Sequence, residues 1–557
     1  MFLPLLYRSV APFFRARYER FIAGAADAHR VQHQTLFEKI RRNADSDFGR
    51  SHGFANMRTV ADFRRGVPIS DYEYYRDYIE RVKSGETEAM FAPGTKVHMF
   101  ALTSGTTNKS KFIPVTQQFF NEYRRSWIIW GSSAYLDHRD QFSKLTLQLT
   151  SNWQQFYTEG GIPCGNISGL AAELAPKFTR LTYALPLPVI KIENPAAKHY
   201  TALRITTALP HVGMMITANP STLLEFARRA NDQRESLIRD IFDGTLSKEA
   251  EVPMELRQRL RRFTSRKNPT RARELEQIVE RTGTLYPKDF WPQFSFIAVW
   301  MGGSVGVYLP LLKEFYGETA MRDHGLSASE GRMTIPVEDG TSAGILDYLG
   351  HYFEFIPEDE ISSDDPTVLE AHELEVDKHY YILLTTSSGL YRYDIRDVVR
   401  CVGFQGESPL LQFLNKGAHF SSITGEKLSE FQVVSAVKQA FAQLEIPVEH
   451  FTVAPVMTDN RPGYVLLVEP SSHRSPDSVF ADCVENNIKQ LNIEYADKLE
   501  SGRLLPLTVQ EIPAGTWDDF RRRRTSERGN LEEYKHPCLV NDLAFVDKLL
   551  KSELSQT

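Results

Sequence analysis

Four cysteines in 557 residues, Cys164, Cys401, Cys483 and Cys538, stand far apart and in no metal-ligand spacing. That excludes a disulfide framework or a cysteine zinc site and fits a reducing cytoplasm. Long apolar runs are also scarce. The longest charge-free stretch, "SFIAVWMGGSVGVYLPLL" (295–312), is broken by glycines and a proline, so it reads as buried strand, glycine turn and buried helix rather than a membrane span. Neither sign of charge dominates: 65 Lys and Arg against 71 Asp and Glu leave a net −6, which draws the chain to neither nucleic acid nor anionic membrane. No internal repeat or low-complexity tract is present, and no G-x-x-x-x-G-K-[ST] phosphate loop.

What remains is ordinary globular composition, 42% hydrophobic and 24% charged, with length for two to four domains. The opening "MFLPLLYRSVAPFFRARYERF" is expected to be an amphipathic helix. It has no basic residue before its apolar run, which Pro4 and Arg8 interrupt, and no small-residue cleavage site, so no stable membrane insertion is expected. Residues 27–90 read as helices with polar turns, one starting in "VPISDYEYYRDYIERVKSGE" on Ser70 or Asp71 as N-cap. From about 95 to 217, strand-like runs such as "KLTLQLT" and "VGMMITA" alternate with helical segments, and "NPSTLLEFARRA" opens a helical stretch to about 283. Residues 257–273 carry eight Arg or Lys, but flanking glutamates and the lack of an aromatic ladder make this a solvated helix face, not a nucleic-acid patch.

Strand-like runs return at 293–301, 351–356 and 379–386, and the polar, glycine-containing stretch 403–430 reads as a connector. Beyond it, Phe431, Val434, Val437, Phe441 and Leu444 fall at helical spacing, followed by the strands "HFTVAPVM", "GYVLLVEP" and "LPLTVQEI". The expected fold is α/β: a large N-terminal domain over 1–423 and a smaller, mobile α/β domain over 424–557 behind a hinge.

Five stretches carry candidate chemistry. In "ALTSGTTNKSKFIPVT" (101–116), backbone N–H groups of a Gly/Ser/Thr loop can approach phosphate oxygens. Thr103, Ser104, Thr106 and Thr107 add hydroxyls around Gly105, and Lys109 and Lys111 add charge; a plain turn has the same composition. "MGGSVGV" holds Gly302, Gly303 and Ser304 in a G-x-S-x-G between strand and helix, the setting of a serine-hydrolase elbow or of a tight turn that a ligand approaches. "LSASEG" (326–331) puts Ser329 and Glu330 in a probable post-strand loop, where a carboxylate can hold Mg²⁺ beside a phosphate or simply face solvent. "LLTTSSGLYRYDIRDVVR" (383–400) ends a strand near Asp397, which can accept ribose hydroxyls or pair with Arg396 or Arg400. "GTWDDFRRRRTSERGNLEEYKHP" (515–537) presents Lys535, a cation for a developing oxyanion or a solvated side chain.

Taken together and in order, these pieces resemble one family. The chain is similar, from about 27 to 540, to the auxin-responsive acyl-acid amido synthetases (the Gretchen Hagen three family), a branch of the adenylate-forming enzymes, and reads as a bacterial-type member. The resemblance lies in "VPISDYEYYRDYIERVKSGE", "TSGTT", "SASEG", "YFEFIP" (352–357), "TTSSGLYRYDIRDVV" and "GTWDDF…EYKHP", with "YFEFIP" beside "GLYRY" the most specific pair. It implies ATP-dependent activation of a carboxylic acid as acyl-AMP, then transfer to an amine, usually an amino acid, with Mg²⁺. It also implies Ser104, Gly105, Thr106 and Thr107 as the phosphate cradle, Glu330 as metal residue, Ser329 lining the nucleotide and Asp397 on the ribose. Lys427 matches a lysine past the hinge, Lys535 the C-terminal lysine of the adenylation pose, and Gly302–Ser304 a turn lining the acyl and nucleotide site.

The chain departs from the family pattern at Asn108, Leu326, Arg396 (where the family has Gly) and Cys538 (where it has Arg). Two other readings stay open. One is the same activation with a thiol acceptor, coenzyme A or a carrier protein; the other is a regulatory protein that has lost catalysis. The hydrolase reading loses its ground once the glycine turn has this role.

Overall fold

A computed structural model describes residues 2–103, 111–150, 152–303, 308–416 apart from 362 and 364, 420–421, 423–424, 426, 428–446, 449–458, 461–470, 476–500, 504–528 and 534–554. The chain forms two compact units. The larger holds Met1–Met301, Leu312–Ile395 and Arg400–Gln412; the smaller holds Gly302–Leu311, Arg396–Val399 and Phe413–Thr557. The architecture is mixed α/β, and among the described residues no helix is long and apolar enough to cross a membrane.

In the larger unit, the strands Leu145–Gln148, Val212–Thr217, Phe296–Val299 and Ala320–Arg322 lie in that order in one parallel sheet. Phe296–Val299 is buried at all four positions, as an apolar run in a sheet covered on both faces should be. The helix Gln117–Asp137 packs Ile129, Trp130 and Ala134 into a core with Phe21, Phe296 and Tyr348. A second sheet pairs Val97–Thr103 with Lys111–Thr116 antiparallel, Thr103 opposite Lys111. The helix Tyr72–Ser84 starts at Asp71, whose carboxylate accepts the Glu73 N–H at 3.0 Å, and stops at Gly85 in a left-handed conformation.

Two expectations change. The stretch 403–430 is no simple connector: Tyr393–Gln405 and Ser408–Lys416 are neighbouring strands of a seven-stranded sheet, turned at Gly406 with φ +61°. Its glycines and polar residues hid the buried Leu411 and Phe413 of the second strand. The basic run 257–273 is also only partly a solvated face. Arg257 donates to the carbonyls of Leu246, Ser247 and Ala250, and buried Arg271 donates to those of Thr207 and Phe290. Both are structural cations.

The smaller unit carries the antiparallel pair Phe451–Thr458 and Arg461–Val468, with Thr508–Glu511 parallel to the latter. The helix Glu430–Leu444 begins with a capping box, Ser429 with Gln432. Leu467, Ile512, Trp517, Phe545 and Leu549 cluster as its core.

Candidate active site

The larger unit builds its polar site from the segment before Tyr72. Ser70 donates its N–H to the Arg392 carbonyl at 3.2 Å, and its own carbonyl accepts the Asp394 N–H at 2.9 Å. The Tyr75 hydroxyl donates to the Tyr391 carbonyl and accepts the Tyr391 N–H at 3.0 Å. "VPISDYEYY" therefore clasps "GLYRYD" through backbone bonds. Arg392 sits in this clasp at φ +48°, a left-handed conformation costly for a side-chain-bearing residue. Its Nε meets Glu354 Oε2 at 3.0 Å, while Arg64 Nε takes the other oxygen at 2.8 Å. Glu354 is the charged residue of "YFEFIP" and is 1% exposed. The most family-specific pair of motifs is thus one buried ion pair.

Holding Arg392 fixes its neighbour. Tyr393 is fully buried, and its hydroxyl accepts a hydrogen bond from Lys111 Nζ at 3.1 Å. The ammonium also lies 5.6 Å and 5.7 Å from the rings of Tyr72 and Tyr393. Tyr72 is occupied too, accepting the Phe112 N–H at 2.9 Å; burial pushes its pKa up to about 12, so it stays neutral. Burial first, and the Glu330 charge second, hold the Tyr393 hydroxyl well above its usual pKa.

Glu330 and Ser329 turn a short hairpin of Ser327–Ala328 with Gly331–Arg332. The Ser329 hydroxyl donates to the Leu102 carbonyl at 3.1 Å, tying that turn to the end of the Val97–Thr103 strand. Glu330 is 3% exposed, against the surface reading. A Cβ on Gly331 would stand 2.9 Å from the His351 ring, so only glycine lets the hairpin approach this closely. Lys111, Ser329 and Glu330 are thereby brought together with Tyr393, which the sequence did not single out. One buried carboxylate and a clamped lysine suit a phosphate-bearing substrate. A single carboxylate also fits Mg²⁺, which binds through one or two carboxylates plus substrate phosphates. Elsewhere in this unit, Asp27, His29 and Glu407 bring metal-ligating atoms together, but they are engaged in ion pairs, Asp27 with Arg30 and His29 with Glu407.

The remaining candidates fall in the smaller unit. Asp397, on the strand Tyr393–Gln405, is 3% exposed; Arg400 pairs instead with Asp377. Arg396 adopts φ +63°, which explains physically why glycine suits this position. Gly303 has φ +61°, and a Cβ there would lie 2.8 Å from the Phe413 ring. Lys535 is exposed, and the residues that follow it are anchored. His536 lies 3.0 Å from Thr452 Oγ1, Trp517 packs edge-on to His536 at 4.6 Å, and Leu539 bridges to Val453. That stacking is why "GTWDDF" and "EYKHP" occur together. Cys538 is buried, and its N–H donates to Glu430 at 2.7 Å. Ser104, Gly105, Thr106, Thr107, Ser304 and Lys427 lie outside the described residues, and Thr103 is described in backbone only.

Comparison with known proteins agrees in sequence and fold. Residues 17–321, 344–416 and 431–544 match the N-terminal, central and C-terminal domains of the GH3 family. The chain is 25% identical over 556 residues to a jasmonoyl–L-amino acid synthetase of Oryza sativa subsp. japonica, covering 92% of this chain and 93% of that one. It is 22% identical over 553 residues to an indole-3-acetic acid-amido synthetase of Arabidopsis thaliana, covering 95% and 92%. Among solved structures it resembles the GH3.15 acyl acid amido synthetase, with TM-score 0.82 and 19% identity over 96% of this chain and 95% of that one.

Proposed function

The chain belongs to the GH3 family, and we propose that it is an ATP-dependent acyl-acid amido synthetase. It joins a carboxylic acid to AMP and then passes the acyl group to an amine, an amino acid by analogy with the relatives' names. The observation that carries the reading is the buried Glu330 beside the Lys111–Tyr393 pair, at the end of the strand leading into Ser104–Thr107. In the first step a carboxylate oxygen bonds to the α-phosphorus as the α–β bond breaks and pyrophosphate leaves. In the second the amine nitrogen attacks the acyl carbon, AMP leaves and the amine proton goes to solvent.

The chain's residues take these roles. Ser104–Thr107 and Thr103 cradle phosphate, Lys111 and Ser329 hold the phosphate side of the nucleotide, and Asp397 accepts the ribose hydroxyls. Gly302, Gly303 and Ser304 border acyl group and nucleotide. Glu330 would hold Mg²⁺, which when bound supplies positive charge at the phosphates. Lys535, with Lys427 near the hinge, reaches the phosphates in the adenylation pose; a domain over 424–557 swings on one over 1–423 to withdraw it for transfer. Three buried cysteines and one partly buried, all free, support a reducing cytoplasmic setting.

The test is product analysis with ATP, Mg²⁺, a panel of acids, and hydroxylamine as generic amine. Acid-dependent AMP and pyrophosphate are expected, and ADP would sink the mechanism. Amino acids should then outperform coenzyme A as acceptor. Asp397→Ala should abolish activation, whereas Lys535→Ala should impair adenylation far more than use of preformed acyl-AMP; equal loss in both would remove the lysine from its role.

A further inference from the structure

The inference concerns the acid substrate and rests on the acid-activating reading above. Among the described residues five arginines are almost completely buried, and four are well satisfied. Arg322 has Asp137 and Asp339, Arg392 has Glu354, Arg271 has Glu274, and Arg204 gives three hydrogen bonds to carbonyls. Arg332, 1% exposed, stands apart. Its Nη2 donates to the His324 carbonyl, its Nε makes a long 3.4 Å bond to the Thr334 carbonyl, and its Nη1 has no partner. Among the described residues no carboxylate pairs with it.

The nearest acids are otherwise engaged. Asp323 accepts the N–H groups of Met301 and Gly325; Asp347 is bonded to Ser126 through one oxygen only, its other oxygen has no partner, and burial raises its pKa toward the neutral form. Asp347 and Asp323 act on the guanidinium only through their charge, and a desolvated guanidinium with an unsatisfied N–H is costly to maintain. That cost has a purpose if an anion arrives with a ligand.

Its surroundings say what kind. Arg332 belongs to the same short hairpin as Glu330, on the strand that leaves its turn. Its guanidinium lies 4.2 Å from the Trp127 ring, which neighbours Tyr123 at 6.3 Å and His324 at 5.9 Å. Tyr123 and Trp127 are partly exposed residues. Burial, then the Arg332 charge, depresses the His324 pKa to about 4, leaving a neutral imidazole that does not compete for the anion.

We propose that Arg332 binds a second anionic group of the acyl acid, so that this enzyme selects small acids carrying two: one reacts at the nucleotide and the other pairs with the guanidinium against Tyr123 and Trp127. Arg332 is then the specificity-determining residue of the acyl site.

The experiment compares matched pairs, benzoate with terephthalate and hexanoate with adipate, on the full-length enzyme with Mg²⁺, ATP and hydroxylamine, following pyrophosphate. Direct binding of the same acids by calorimetry runs in parallel. A diacid preference in kcat/KM of tenfold or more is expected, falling at least tenfold in Arg332→Met and partly retained in Arg332→Lys. The lysine variant keeps the charge and guards against a folding defect in the methionine variant. Adenylation that favours the monoacids, or a preference untouched by Arg332→Met, overturns the inference and leaves the ligase reading standing. Arg332-dependent diacid binding with no pyrophosphate does the reverse. Absence of both binding and turnover across the panel overturns this inference.

Discussion

Glu354→Gln isolates the ion pair on which the "YFEFIP" and "GLYRY" motifs meet. The carboxylate is 1% exposed and bonded by Arg392 at 3.0 Å and Arg64 at 2.8 Å. Glutamine keeps the volume but leaves Arg392, itself 6% exposed at the side chain, without its counter-charge. Removing one partner of a buried pair costs about 3–5 kcal/mol, most of it for the charge left behind. The Arg64 contact adds little to this, since that side chain is 30% exposed and water replaces the lost partner. A loss of about 3 kcal/mol is therefore expected in urea unfolding of the full-length protein followed by tryptophan fluorescence. The cycle with Arg392→Met should show coupling of about 2 kcal/mol, the double variant losing less than the two singles summed. Because the Arg392 carbonyl accepts from Ser70 and Tyr393 follows directly, the KM for ATP should rise as the Lys111 clamp loosens. Stability within 1 kcal/mol of the parent would refute the burial argument, and unchanged ATP kinetics would refute the link from this pair to the clamp.

Three further outcomes follow from the same reasoning. Burial holds His351 neutral, its pKa near 3 despite Glu122 at 3.6 Å, and likewise depresses His324 to about 4. Both folded values lie below the unfolded 6.5, so their stability is present above pH 6.5 and lost as pH falls, about 2–3 kcal/mol each between pH 7.5 and 4.5; His351→Gln should flatten the stability–pH slope by about one proton in urea titrations. Arg396→Gly should stabilise by about 1 kcal/mol, since φ +63° is strained for arginine and free for glycine, whereas Arg396→Val should destabilise; the reverse order in thermal midpoints would contradict the backbone geometry. Tyr393→Phe removes the acceptor from Lys111 and should lower kcat/KM for ATP roughly tenfold, the worth of one charge-assisted hydrogen bond.

Sequence pattern reaches as far as local chemistry does. The helix Tyr72–Ser84 was readable from its N-cap and Glu430–Leu444 from its 3.6-residue apolar period. The strands Val212–Thr217 and Phe296–Val299 were readable as short apolar runs between breakers. The site residues Lys111, Ser329 and Glu330 were named from residue type, but nothing local shows that Glu330 is buried or that Tyr393 clamps the lysine. Those facts depend on contacts between segments hundreds of residues apart. The strand Ser408–Lys416 was hidden for a different reason: it pairs with the strand just before it, but the glycines and polar residues around it mask the apolar alternation.

Backbone conformation is the other blind spot. Arg392 and Arg396 occupy left-handed positions that no propensity assigns to arginine, and tertiary bonds must offset that strain. At Arg392 the offset is visible: Glu354, the Arg64 and Val67 carbonyls, and the Thr385 hydroxyl that accepts its N–H. A strained residue held by that many bonds gives a rigid seat for the next side chain, and the next side chain is Tyr393. Arg332 shows the opposite condition, a buried cation with fewer bonds than it can make. Full satisfaction at Arg392 is what scaffolding requires; incomplete satisfaction at Arg332 is what a ligand site requires. The same residue type, buried to the same degree in one unit, serves two ends that only its hydrogen-bond partners distinguish.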